Sequence, residues 1–180
     1  MRLNRQLDLQ LWIVSSMRFI TINEGVLQAI EEGGECFNSC YKAGLAENAE
    51  LAREVVQQTI AMLVVAPRKT PWGGYLVVDE ETVVVVGTCA FKTAPTPDGI
   101  VEIAYFTFPM FEGQGYGTKM AEKLIAIAAA SPEVCRVIAH TSPEPNASTR
   151  ILEKVGMKLV GEVNDPEDGR VWRWEVEKAV

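Results

Sequence analysis

The stretch Glu112-Gly113-Gln114-Gly115-Tyr116-Gly117 decides the fold, because it joins a strand-like segment to a helix-like one through three alternating glycines. Ile100–Phe108, before it, is rich in Val, Ile, Tyr and Phe, whereas Gly115–Ala130, after it, has a helical period. Glycine adopts positive φ and lets a ligand approach the backbone closely. A helix that starts there directs free N–H groups and its positive dipole end outward, which favours phosphate binding.

Other phosphate-binding turns fit this stretch poorly. A Walker loop needs Gly-Lys-Ser/Thr, which is absent here. A dinucleotide fingerprint places its third glycine one position later, and it follows the first strand of a βαβ unit rather than antiparallel strands. The residues therefore predict a ligand that carries a pyrophosphate but is neither NAD nor FAD. A glycine-rich tight turn without a ligand stays the alternative.

Strand-like and helix-like segments surround the glycine turn, and they predict one mixed α/β domain over residues 1–180. Residues 1–16 are interpreted as an N-terminal extension, and Gly33-Gly34 is expected to stop the first helix. From Tyr75 onward the predicted order is β-β-β-α-β-α-β-β. The other predicted strands are Met17–Ile22, Tyr75–Val78, Thr82–Phe91, Val134–His140, Met157–Val163 and Val171–Val176, and the other predicted helices are Glu24–Glu32, Asn48–Leu63 and Ser148–Val155.

Composition excludes several classes of protein. The chain has 180 residues, of which 48% are hydrophobic, and its net charge of −7 argues against a nucleic-acid partner. No apolar run reaches the length of a membrane span, and no signal peptide is recognisable, so we expect a cytoplasmic protein. The four cysteines and single histidine lack the paired spacing of a zinc site, so no metal is expected.

Two motifs resemble the GNAT superfamily of N-acetyltransferases. Glu112–Gly117 is similar to its pyrophosphate-binding motif, Arg/Gln-x-x-Gly-x-Gly/Ala; the last two glycines match and Glu112 departs from it. Ala139–Met157, with its Asn-x-Ser and Leu-Glu-Lys-x-Gly-Met elements, resembles the branch that includes ribosomal-protein alanine acetyltransferases. Val101–Tyr105 looks like the Glu-Ile-Gly-Tyr strand of that branch. The resemblance covers residues 70–177.

The resemblance implies a fold and an activity. The fold would be α/β (mixed α+β), with a central, mostly antiparallel, splayed sheet flanked by helices. The activity would be an acetyl-CoA-dependent N-acetyltransferase, in which a primary amine of a small molecule or peptide attacks the thioester directly. A homodimer through the last strands is a further expectation. The alternatives are a catalytically inactive acetyl-CoA-binding module of the same fold and an interaction protein that uses its N-terminal half.

The resemblance also implies which residues hold acetyl-CoA. The strand before the glycine turn would offer backbone groups to the pantetheine arm, and the N–H groups of the turn would hold the pyrophosphate. An asparagine amide before the next helix would suit the pantetheine amides, although it could equally be a helix N-cap. The predicted cofactor-binding residues are Thr107, Phe108, Glu112, Gly113, Gln114, Gly115, Tyr116, Gly117, Thr118 and Asn146.

Two residues are predicted to be catalytic. Glu102 lies mid-strand, where a carboxylate suits a wet cleft, and would act as the general base directly or through a water; a surface salt bridge is the alternative. Ser148 would hydrogen-bond the leaving thiolate, or else cap its helix. His140 could also serve as a base, although a structural hydrogen bond is the favoured interpretation. Three tryptophans, Trp72, Trp172 and Trp174, could shape an acceptor pocket, but core positions are the favoured interpretation.

Overall fold

Seven strands and five α-helices follow one another in the computed structural model, which describes residues 17–166 and 168–178. Short 3₁₀ turns at Ala46–Asn48 and Pro109–Phe111 precede α3 and the glycine turn. The strands are β1 Met17–Thr21, β2 Gly74–Asp79, β3 Val84–Phe91, β4 Ile100–Thr107, β5 Arg136–Thr141, β6 Lys158–Asp165 and β7 Gly169–Glu177. The helices are α1 Glu24–Glu31, α2 Gly34–Tyr41, α3 Ala49–Val65, α4 Tyr116–Ala130 and α5 Ala147–Lys154.

All seven strands belong to one sheet in the order β1-β2-β3-β4-β5-β7-β6. Every neighbouring pair is antiparallel except β4 and β5, which run parallel. That one parallel pair is joined at only three positions, Ile100–Glu102 against Arg136–Ile138, after which the two strands diverge. The predicted fold class, a mostly antiparallel splayed sheet flanked by helices, is confirmed.

Each face of the sheet packs its own hydrophobic core. On one face, Met120 and Leu124 of α4 and Leu152 of α5 pack against β3, β4, β5 and β7. On the other face, Val26 of α1 and Val56 of α3 pack against β1, β2 and β3. The first three helices thus cover only the β1–β3 half of their face, so a wall of β4 and β5 stays open on that side.

The structure contains one helix, α2, that the predicted elements do not include. Asn23 caps α1: its Oδ1 accepts from the N–H of Val26 at 3.1 Å. The helix ends at Glu31, but Gly33 then serves as the N-cap of α2, with φ of 110°, and Gly34 is the first residue of α2. The two glycines therefore end the first helix, as predicted, and also begin the second.

Other predicted boundaries shift by a few residues. The strand predicted to begin at Thr82 begins at Val84, because Val83 adopts φ of 57° in the turn after β2. The predicted extension, residues 1–16, lies outside the described residues. No helix in the described ranges is long and apolar enough to cross a membrane.

Candidate active site

A cavity of about 260 Å³ opens where β4 and β5 part. Ile103, Ala104 and Tyr105 of β4 form one wall, and Ala139, His140 and Thr141 of β5 form the other. The α5 helix closes one side through Ser148 and Leu152. The polar residues around the cavity are Lys92, Glu102, Tyr105, His140, Thr141, Ser148 and Asp168.

The backbone of β4 alternates between its neighbour and the gap. The N–H of Phe108 donates to the carbonyl of Val86 at 2.9 Å, and the carbonyl of Glu102 accepts from the N–H of Lys92 at 2.8 Å. Even-numbered residues of β4 therefore direct their backbone groups towards β3. Beyond Ile103, the odd-numbered residues Tyr105 and Thr107 direct their backbone groups into the gap.

This alternation directs the backbone groups of Thr107 into the gap and those of Phe108 away from it. The N–H of Phe108 is bonded to β3, and its carbonyl accepts from the N–H of Phe111 at 2.8 Å. Its side chain is fully buried. The backbone groups of Tyr105 also face the gap, where an extended ligand could reach them. Sequence reasoning missed Tyr105 because the register with β3 was needed to see it.

The glycine turn has the geometry of a phosphate cradle. Gly113 and Gly115 have φ of 73° and 86°, and an added Cβ at either would meet nothing within 4 Å. The first helical bond of α4 runs from the N–H of Lys119 to the carbonyl of Gly115 at 3.2 Å. Within the described part of the chain, no backbone carbonyl accepts from the N–H groups of residues 113–118. Those donors, at the positive end of the α4 dipole, fit a pyrophosphate.

Side chains add little to this cradle. Glu112 is exposed, and the Nε2 of Gln114 donates to the carbonyl of Met110 at 3.2 Å. Tyr116 packs edge-on against Phe111, and burial together with the negative charge of Asp79 raises the pKa of its phenol. Half-buried Thr118 lies in the first turn of α4. The turn would therefore bind phosphates chiefly through its backbone.

Replacing Gly115 with Ala tests the cradle. An L side chain in the left-handed region costs roughly 1–2 kcal/mol, so the free loop should relax and misalign its N–H groups. We expect calorimetry to show acetyl-CoA affinity lower by at least about tenfold, or about 1.4 kcal/mol. Gly156, with φ of 85° and open space at its Cβ, is the matched control. Gly156→Ala should lose similar stability and keep its affinity; equal affinity losses in both variants would contradict the prediction.

Three polar side chains meet at one end of the cavity. The Oε1 of Glu102 lies 3.0 Å from the Nδ1 of His140 and 3.0 Å from the Nζ of Lys92. All three are largely buried, with side-chain exposures of 15%, 12% and 28%. Burial opposes the charge of Lys92, but the hydrogen bond and charge of Glu102 outweigh it and raise its pKa. Glu102 thus makes a salt bridge and also faces the cavity.

Sequence reasoning missed Lys92 and Asp168. Lys92 follows β3 and reaches Glu102 through the β3–β4 hairpin, and Asp168 lies in the β6–β7 turn. The hairpin register would have revealed Lys92, because its backbone N–H bonds to Glu102. No local signal marks Asp168, which reaches the cavity only through the strand order of the sheet.

The start of α5 separates the two predicted roles of Asn146 and Ser148. Asn146 caps the helix: its Oδ1 accepts from the N–H of Thr149 at 3.0 Å, and the Oγ1 of Thr149 accepts from the N–H of Asn146 at 3.0 Å. Ser148 is therefore not the cap, and its side chain lines the cavity. The hydroxyl of Tyr105 donates to the carbonyl of Ser148 at 3.5 Å, and burial raises the pKa of Tyr105 to about 12.

The tryptophans belong to the core and do not form an acceptor pocket. Trp174 is 2% exposed, and its Nε1 donates to the Oγ1 of Thr141 at 3.0 Å. Trp72 packs edge-on against Phe91, with ring centroids 4.9 Å apart. Trp172 is partly buried against the same core.

Comparison with known proteins identifies the family to which this chain belongs. The family model described as "Acetyltransferase (GNAT) domain" matches residues 37–158. The chain therefore belongs to the GNAT acetyltransferase family, a family of enzymes. A curated relative, "Uncharacterized N-acetyltransferase p20" of Bacillus licheniformis, is 27% identical over 96 residues, which are 53% of this chain and 54% of the relative. The chain thus matches about half the length of that curated relative.

Solved structures share the fold along nearly the whole chain. A putative ribosomal-protein-serine acetyltransferase from Vibrio cholerae superposes with a TM-score of 0.68 at 14% identity, over 94% of this chain and 98% of that one. RimL, a ribosomal L7/L12 alpha-N-protein acetyltransferase solved in complex with coenzyme A, superposes with a TM-score of 0.63 at 17% identity, over 92% and 96%. These neighbours confirm the predicted fold.

Proposed function

We propose that this protein transfers an acetyl group from acetyl-CoA to a primary amine, which attacks the thioester directly. One observation carries the proposal: the end of the glycine turn lies beside Tyr105, a residue of the cavity wall. An added Cβ at Gly117 would lie 3.5 Å from the Oγ1 of Thr107 and 3.8 Å from the ring of Tyr105, which lines the cavity. A ligand whose phosphates rest on the turn could therefore run along β4 and end beside Glu102.

Acetyl-CoA would supply the activated acetyl group as a thioester. The N–H groups of residues 113–118 would hold its pyrophosphate. Thr107 and Tyr105 would bind the pantetheine amides through their backbone, much as an added strand would. The capping role of Asn146 uses its Oδ1, so its amide hydrogens stay available for a pantetheine carbonyl.

The catalytic proposals concern the attacking amine and the leaving sulfur of the thioester. Glu102 supplies the carboxylate that drives loss of a proton from the acceptor ammonium, since only a neutral amine is a nucleophile. Ser148 would donate a hydrogen bond from its hydroxyl to the leaving sulfur. A hydroxyl is a weak acid, so we assign Ser148 stabilisation of the thiolate and not its protonation.

The acceptor class is a narrower proposal. RimL is described as an alpha-N-protein acetyltransferase, so we propose a peptide N-terminus as the acceptor, with a small amine as the other candidate for the open side of the cavity. The first three helices leave this side uncovered, which gives an acceptor a path to Glu102. A homodimer stays a prediction; the exposed Leu159 and Val160 on edge strand β6 support it.

Calorimetric titration with acetyl-CoA, with NADH as the control, tests the proposal first. We expect micromolar binding of acetyl-CoA, about −8 kcal/mol, and none of NADH. Release of free thiol would then be followed with peptides that start with Ser or Ala and with spermidine. Binding without turnover of any amine would favour the alternative, an inactive acetyl-CoA-binding module. Absence of binding would overturn both.

A further inference from the structure

Glu102 does not stand alone at the end of the cavity. Its Oε1 is shared by the Nδ1 of His140 and the Nζ of Lys92, each at 3.0 Å. This carboxylate already forms a salt bridge with a lysine and a hydrogen bond with an imidazole, so it is poorly suited to take a proton from the amine directly. The contact between Glu102 and His140 suggests that the two residues have different roles in proton removal.

The hydrogen bond determines the tautomer of His140. An ionised carboxylate can only accept, so the Nδ1 of a neutral His140 must carry the hydrogen that it donates to Glu102. The Nε2 of that tautomer has a free lone pair. Among the residues that the structure describes, none forms a hydrogen bond with Nε2, and His140 lines the cavity.

We propose that the Nε2 of His140 is the atom that takes the proton from the acceptor amine, and that Glu102 acts through His140 as a positioning residue. This inference rests on the proposed acetyl transfer. Glu102 selects the tautomer, orients the ring, and stabilises the imidazolium that forms. Lys92 balances Glu102 and fixes its carboxylate beside His140.

The proton and bond balance is complete without a further reactant. The acceptor ammonium gives one proton to Nε2, and the neutral nitrogen attacks the thioester carbonyl carbon. The new C–N bond forms and the C–S bond breaks, so that sulfur leaves with the electron pair. The second proton of the nitrogen goes to the departing sulfur, which Ser148 stabilises, and the imidazolium returns its proton to water.

Several other charged or titratable groups lie around His140. Arg173 of β7 is the cross-strand partner of His140, and its Nε pairs with Glu175 at 2.7 Å. The remaining groups lie on the cavity wall or in β4: Lys92, Asp168, Tyr105 and Glu102.

The chain offers a direct test because His140 is its single histidine. Protein labelled with ¹⁵N-histidine, without a histidine tag, should give one imidazole spin system in long-range ¹H–¹⁵N spectra. We expect the neutral ring to be the Nδ1–H tautomer, and we expect that preference to weaken in Glu102→Gln. A neutral ring found mainly as the Nε2–H tautomer would overturn the proposal, whatever the activity.

Two substitutions then distinguish the role of His140 as a base from its hydrogen bond with Glu102. His140→Asn keeps an amide donor near Nδ1 and so can retain the bond to Glu102, whereas His140→Gln places its amide near Nε2. Neither amide is a base, so we expect kcat/KM for the best of the peptide and spermidine probes to fall about 10²–10⁴-fold in both. The acidic limb of the wild-type pH profile should coincide with the His140 titration seen by NMR, and both variants should lack it.

The outcomes distinguish this inference from the activity on which it rests. If His140→Asn keeps wild-type kcat/KM, or if the acidic limb persists in either variant, His140 is not the base and Glu102 acts directly. If the wild-type protein binds acetyl-CoA but acetylates no probe, both the proposed acetyl transfer and the base role of His140 are contradicted. Acetyl-CoA affinity, measured for every variant, should stay unchanged, because His140 lies beyond the phosphate cradle.

Discussion

Glu102→Gln should lower kcat by about 10²–10⁴-fold and leave acetyl-CoA affinity unchanged. Gln keeps the shape of the side chain but loses the charge. Its amide can bond either tautomer of His140, so the preference for Nδ1–H weakens, and no negative charge stabilises an imidazolium. The phosphate cradle and the backbone of Tyr105 and Thr107 are not altered. Thiol release under saturating acetyl-CoA measures kcat, and calorimetry measures the affinity.

A carboxylate elsewhere on the sheet provides the control. Glu177 of β7 has a side chain that is 78% exposed and pairs with Arg136 outside the cavity. Glu177→Gln removes the same charge and should keep full activity. If Glu102→Gln retained more than roughly a tenth of wild-type kcat, a loss far below that of a missing base, Glu102 would have no part in proton removal.

Gly87→Ala should be the most destabilising small substitution, because β3 and β4 touch there without room for a side chain. An added Cβ would lie 2.4 Å from the carbonyl oxygen of Phe106 and 3.1 Å from the Cα of Thr107. Both contacts are with backbone, so relief requires the strands to move apart. Overpacking of a core typically costs 1–3 kcal/mol, and here we expect about 3 kcal/mol from chemical denaturation.

The same strand shift should also weaken binding, since Thr107 offers its backbone to the gap. Gly34→Ala is the control for adding a methyl group: Gly34 begins α2, and its added Cβ would meet nothing within 4 Å. That variant should be neutral or slightly stabilising, as expected for Gly→Ala in a helix. A loss of less than about 0.5 kcal/mol in Gly87→Ala, typical of a surface change, would mean that β3 and β4 are not held at this distance.

The glycine turn and the strands around it could be predicted because their signals are local. Three alternating glycines between Ile100–Phe108 and a helical period leave few other structures, and the structure has them as predicted. The α2 helix could not be predicted in the same way. Gly33-Gly34 is typical of a helix end. Phe37 is the single buried residue of α2, so the sequence of α2 has no apolar period that would predict a helix.

The candidate site was partly visible from the sequence. Glu102, Ser148 and His140 were each singled out, and the structure brings all three to the cavity. The contact between Glu102 and His140 depends on the parallel register of β4 and β5, in which Glu102 lies opposite Ile138, two residues before His140. The exclusion of Phe108 and the inclusion of Tyr105 depend likewise on the register with β3. Long-range register is set by tertiary packing and cannot be read from local propensity.

The three-residue contact between β4 and β5 has a mechanical consequence. It makes the sheet two lobes, β1–β4 and β5–β7, that share a short hinge at Ile100–Glu102. The α4 and α5 helices brace the lobes from one face, while the first three helices support only the first lobe. A donor bound in the gap would supply the missing hydrogen bonds between β4 and β5 and connect the lobes. We therefore expect the loaded protein to be stiffer than the empty one where the acceptor must be aligned.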